Sequence, residues 1–209
     1  MSKEKLADLR AQGYDFEINN ILERGFRMFL SQPLLSIAYA LLIITVQFMF
    51  ALYLPDWTFL YALLLAPPLF TGFYFVANKI SQNQQVIYPD FFKGFSVAWV
   101  VISIWLIGQL ITALGVFAFV IPGIYLAVAY SFSVLMAIFG GFDFWTALEE
   151  SRKLITVRWW KFFLFSLVLL AMNAIGLLTL VVGLTVTLPV TFYATYILFE
   201  DLTRDIFAE

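Results

Sequence analysis

Along most of this chain the apolar positions form long unbroken runs, not the alternating or one-faced patterns of soluble elements. Six runs stand out, at about residues 34–54, 59–78, 97–114, 120–139, 161–179 and 184–200. Each is close to the roughly 20 apolar residues that a helix needs to cross a bilayer. The turns joining them in pairs are short and marked by Pro and Gly: Pro55-Asp56-Trp57, then 115–119, then 180–183. Residues 1–15 are polar and mixed in charge, with no apolar core and cleavage site of a signal peptide. After them Ile18, Ile21, Leu22, Gly25, Phe26 and Phe29 recur at helical spacing, while Glu17, Glu23, Arg24 and Arg27 fall on other faces. This pattern predicts an amphipathic helix over 16–30, lying in the membrane interface and capped by Asp15.

Composition supports the same class. Of 209 residues 63% are hydrophobic and 12% charged, against about 25% charged in soluble domains. Cysteine and histidine are absent, which removes disulfides, thiol ligands and the usual general base at neutral pH. The net charge of −2 makes no case for nucleic acid. The sequence implies no cofactor.

The charges also orient the chain. Lys3, Lys5, Arg10, Arg24 and Arg27 precede the first run, and Lys79 and Lys93 flank the connection between the second and third. Arg152, Lys153, Arg158 and Lys161 cluster between the fourth and fifth, and Arg204 follows the last. All twelve therefore fall on one side of a six-span map, and the positive-inside rule makes that side cytoplasmic, with both termini. Trp99, Trp145, Trp159 and Trp160 fall near the inner interface and Trp57 near the outer.

The three hairpins resemble one another. Each has an interfacial stretch (18–29, 89–95, 144–158), a span with one amide (Gln47, Gln109, Asn173) and a return helix with proline (Pro67-Pro68, Pro122, Pro189). The expected fold is all-α: a polytopic membrane bundle of six transmembrane helices as three repeated hairpins, each preceded by an interfacial amphipathic helix. A polar segment over 1–15 precedes one membrane domain over 16–202, with repeats of about 16–80, 88–140 and 143–202, and a tail follows over 203–209.

Two groups of polar residues are candidate sites. Gln47, Gln109 and Asn173 are the strongly polar side chains deep in the spans; they either tie hairpins together by interhelical hydrogen bonds or line a central solute site. Glu149, Glu150, Arg152 and Lys153 lie on the charged connector over 144–158, where Thr146 and Glu149 have capping-box spacing and Glu149 stands four residues before Lys153. They form either a plain interfacial connector or a docking surface for a partner or anionic headgroups. Gly108, Gly115, Gly123, Gly176 and Gly183 read as close-packing or turn positions. Carboxylates at the inner interface (Asp90, Asp143, Glu149, Glu150, Glu200 and Asp201) are the residues on which a magnesium-dependent headgroup enzyme would depend; span ends and helix caps are their simpler role.

Several stretches carry a resemblance: Leu22-Glu23-Arg24-Gly25-Phe26, Tyr88-Pro89-Asp90-Phe91-Phe92-Lys93-Gly94-Phe95, Ile121-Pro122-Gly123-Ile124-Tyr125 and Ala147-Leu148-Glu149-Glu150-Ser151-Arg152-Lys153-Leu154. Over about 16–202 the chain resembles a diffuse bacterial superfamily of six-span membrane proteins. It includes YciC-like proteins and the membrane domain attached to some glycerophosphodiester phosphodiesterases. The resemblance implies the six-span fold and the bacterial inner membrane, and it does not carry the phosphodiesterase activity, whose soluble barrel has no counterpart here.

The favoured function is non-catalytic: a structural or accessory membrane component that meets membrane lipids and binds lipid, a protein partner or a second copy of itself. A transport or permeation protein centred on Gln47, Gln109 and Asn173 comes next. An enzyme acting on lipid headgroups is third.

Overall fold

The computed structural model describes residues 2–118, 120–179 and 182–207. All regular structure among them is helical. Five helices are long and apolar enough to cross a membrane: Pro33–Tyr53, Pro55–Ser81, Tyr88–Ala118, Val120–Gly140 and Trp159–Leu178. The sixth expected span lies in Leu184–Phe207, which at 24 residues is long enough but does not reach the apolarity of the other five. Thr185, Thr187, Thr191, Thr195, Tyr193 and Tyr196 dilute it. Three of its threonines turn their hydroxyls back on the helix: Thr191 donates to Thr187 O, Thr195 to Thr191 O and Thr203 to Phe199 O, at 2.7–2.8 Å. That back-bonding lets hydroxyls sit in an apolar setting.

The stretches expected at the membrane interface are helical too, with corrections. The first is Ile18–Ser31, so Asp15 stands too far upstream to cap it and accepts instead from Lys161. The second is a ten-residue 3₁₀ helix, Tyr88–Val97, continuous with Ala98–Ala118. The third is Phe144–Thr156. Ahead of them, the polar segment 1–15 contains the helix Ser2–Gln12. Its sequence shows no apolar stripe, yet Leu6 is fully buried.

The chain divides into two compact units that cut across the three expected hairpins. One comprises 1–17, 99–167 and 198–209. Its core gathers Leu6, Phe132, Leu135, Met136, Leu154 and Phe162, with Phe132 edge-on to both Phe162 and Phe199. Ser151 holds the connector helix to the break between Val120–Ala129 and Ser133–Gly140: its hydroxyl donates to Ala129 O and accepts from Phe132 N–H.

The other unit comprises 18–98 and 168–197. Tyr39, Phe73, Phe91 and Phe192 form its aromatic centre, with ring centroids 4.6–5.8 Å apart in the contacting pairs. Tyr39 donates its hydroxyl to Leu69 O, and Tyr193 shares a 2.8 Å hydrogen bond with Ser36. The 3₁₀ helix lies directly on Ala66–Ser81. A Cβ on Gly72 would run into the Phe91 carbonyl, and one on Gly94 into that of Pro68. Asp90 locks the same pair, accepting from Lys79 (2.8 Å), Lys93 (2.9 Å) and Ile87 N–H (2.9 Å).

Pairs of glycines also close two hairpins. A Cβ on Gly115 would lie 3.2 Å from the Gly123 backbone, and one on Gly183 2.7 Å from Gly176 Cα. Phe119, Leu180 and Val181, which fall in those turns, lie outside the described residues.

Candidate functional site

The connector helix Phe144–Thr156 starts at Asp143, whose carboxylate accepts from the N–H groups of Trp145 and Thr146. This replaces the expected capping box of Thr146 and Glu149, because the helix begins two residues before Thr146 and an aspartate already stands at its N-cap. The Thr146 side chain, followed by those N–H groups, holds Asp143 below the usual carboxylate range. The buried stripe is Ala147, Leu148, Ser151, Leu154 and Ile155. Phe144 and Trp145, at the start of the helix, are exposed.

The four charged candidates neutralise one another. Arg152 grips Glu149 with two hydrogen bonds of 2.8–2.9 Å. Lys153 reaches both Glu149 (3.6 Å) and Glu150 (3.2 Å). Arg10 of the N-terminal helix meets Glu150 at 2.5 Å. Burial penalises the Glu150 carboxylate, but hydrogen bonds from Arg10 and Lys153 outweigh it and bring its pKa below the ordinary glutamate value. The pairing also explains why the polar N-terminal helix is held. Below it, Tyr14 donates its hydroxyl to Leu154 O at 2.6 Å, and Arg158 Nε donates to Tyr14 O at 3.0 Å.

The other candidate carboxylates are also occupied. Asp90 has its two lysines, Asp143 its N–H donors and Glu200 lies 3.5 Å from Arg204. Among the described residues no group of three or more Asp or Glu is placed to hold a metal ion.

The three amides have different surroundings. Gln47 and Gln109 are exposed, and among the described residues neither side chain makes a hydrogen bond. Gln109 belongs to one unit, Gln47 and Asn173 to the other. Asn173 alone bonds a neighbouring helix: its amide N–H₂ donates to Thr191 Oγ1 (2.6 Å) and to Leu169 O (2.9 Å). Its Oδ1 and the nearby hydroxyl of Thr187 are buried with no partner among the described residues.

One group escaped the sequence reading. Asp15 and Thr156 through Lys161 line a shallow notch where the Trp159–Leu178 helix begins. The tetrad Arg158-Trp159-Trp160-Lys161 at the head of an apolar run was its signal: two cations flank two tryptophans where a span meets its interface. No family model, curated protein or solved structure matches the chain.

Proposed function

We propose that the chain is a non-catalytic protein of a bacterial inner membrane, a structural or accessory component that binds lipid or a protein partner. In this reading Leu184–Phe207 completes six spans, both termini are cytoplasmic, and the chain belongs with the YciC-like proteins. The observation that carries it is an inverted relation between apolarity and burial. Pro33–Tyr53, Tyr88–Ala118 and Trp159–Leu178 are the three most apolar helices, and they bury only 22%, 17% and 22% of their most apolar stretch inside the protein. Pro55–Ser81 and Val120–Gly140 are less apolar and bury 56% and 44%. In water the order would be reversed, since apolar burial drives folding. In a bilayer the most apolar surface faces acyl chains, and small or polar residues turn inward.

Topology tests the reading. Single cysteines at Thr58, Phe117 and Val182 label from outside in intact cells, and cysteines at Ser2 and Ala208 do not. Labelling of the opposite set overturns the orientation. A second reading, solute permeation, draws on the unpaired oxygens of Asn173 and Thr187, a polar spot where a solute or water would bind. Solute flux in proteoliposomes that Asn173→Leu abolishes while folding is kept would favour it.

A further inference from the structure

The notch before the Trp159–Leu178 helix encloses about 430 Å³. Its charges differ from those of the connector helix one turn upstream, where each cation has a carboxylate. Here Lys161 is consumed: its ammonium donates to Asp15 and to Phe16 O and lies over the Phe16 ring. Arg158 is not. Its Nε donates to Tyr14 O and it feels the Asp15 carboxylate at longer range, but its terminal nitrogens make no hydrogen bond or ion pair among the described residues. Asp15, Lys161 and Arg158 together leave one positive charge, carried on a planar fork of the geometry that grips phosphate through two hydrogen bonds.

What adjoins the fork is amphiphilic. Trp159 is fixed, stacked on Tyr125 with its indole N–H donating to Tyr125 O. Trp160 is 72% exposed, and Leu164 and Leu167 follow it at helical spacing, both exposed. A cationic fork whose terminal nitrogens are unpaired among the described residues thus stands at the head of an uncovered apolar stripe. Basic pockets beside membrane helices on the cytoplasmic side bind anionic headgroups.

We propose that this notch is a binding site for an anionic glycerophospholipid. Arg158 holds the phosphodiester, Trp160 lies at the glycerol level, and the acyl chains run along Leu164 and Leu167. The proposal rests on the membrane reading above and moves the lipid contact from Glu149–Lys153 to Arg158.

The test uses the full chain in detergent, with retained lipid counted by native mass spectrometry in mixtures of phosphatidylglycerol and phosphatidylcholine. The wild type retains phosphatidylglycerol preferentially, and Arg158→Gln weakens that binding about tenfold, the usual scale for a lost charge-assisted pair. Lys153→Gln, in the neutralised cluster, leaves it unchanged. Arg158→Lys, which keeps the charge and a donor for Tyr14 O, folds even if the glutamine variant does not; it retains less lipid than wild type because it lacks the fork. Equal retention by Arg158→Lys and wild type, or a loss confined to Lys153→Gln, overturns the site. Displacement of the lipid by millimolar inorganic phosphate also overturns it, because the site would then bind a free anion. Alkaline carbonate extraction separates the two readings. Wild type and variants all remain in the membrane pellet if the membrane reading holds, and release of the wild type would sink that reading whatever the lipid result.

Discussion

The first and second helices of each expected hairpin play opposite parts. Pro33–Tyr53, Trp159–Leu178 and the Ala98–Ala118 part of Tyr88–Ala118 are nearly uniform in apolarity, and most of their most apolar stretch is uncovered by protein. The returning helices carry the prolines, Thr71, Ser133, Tyr193 and Thr195, and these polar residues are buried. In Leu184–Phe207 every residue from 193 to 199 is buried. Without water, apolar burial no longer selects the interior; close contact and hydrogen bonds do. Hence the least apolar of the long helices is buried on all sides over two turns, and the most apolar ones are left outside.

The largest effect that would break this comparison is at Gly72. A leucine there must displace the Phe91 carbonyl, which belongs to backbone and cannot swing away. Gly72→Leu is expected to cost more than about 3 kcal/mol and to abolish the monodisperse peak on size-exclusion chromatography. Leu170→Ala, on an exposed face of an outer helix, should fall within about 0.5 kcal/mol of wild type. Comparable losses from both would mean that the two classes of helix are not distinct.

Asp90→Asn comes next. It strips Lys79 and Lys93 of their common partner beneath the 3₁₀ helix. The aspartate side chain is 3% exposed, but the lysines are 22% and 48% exposed, so water recovers part of the loss and about 2 kcal/mol remains. A thermal midpoint equal to wild type would show that the aromatic contacts alone hold that pair.

A pH effect follows at Glu150. Its pKa is lower folded than unfolded, so its contribution is complete above the unfolded value, about 4.3. It is lost as pH falls through the lower folded value, where the unfolded chain already holds the extra proton. Release of the N-terminal helix, followed as proteolysis after Arg10, should therefore rise on acidification below about pH 4.3. In Glu150→Gln it should be high already at pH 7, with no further rise from this group. An acid response unchanged by that substitution would place the sensitive carboxylate elsewhere.

The sequence disclosed those elements whose signal is local. The helices Pro33–Tyr53 and Trp159–Leu178 end within two residues of the limits that apolar runs suggest, because length and hydrophobicity alone define them. Ser2–Gln12 was hidden because its ion-pair anchor, Glu150, lies 140 residues from Arg10. The cap at Asp143 was hidden by a competing pattern three residues later. The Arg158 fork was visible as a residue but not as an unneutralised charge. That depends on Asp15 folding back to occupy Lys161, and no spacing along the chain encodes it.

The smallest effect bears on the amides, which look equivalent in sequence and are not in the structure. All three stand on outer helices, but only Asn173 reaches across to an inner one, through Thr191. Replacing Asn173 by leucine removes that bond, and Thr191 keeps its donor contact with Thr187 O, so little is left stranded. Interhelical bonds of this kind average about 0.6 kcal/mol, and a loss on that order is expected in detergent. Gln47→Leu and Gln109→Leu place an apolar group on an exposed, apolar face and should leave stability equal or slightly higher. If the glutamine variants instead lose as much as Asn173→Leu, those side chains contact protein in the assembled membrane, and the outer helices would have a polar partner at that depth. Equal and negligible effects at all three would remove Asn173 from the inner–outer contact and leave the glycine pair Gly176 and Gly183 to hold that hairpin closed.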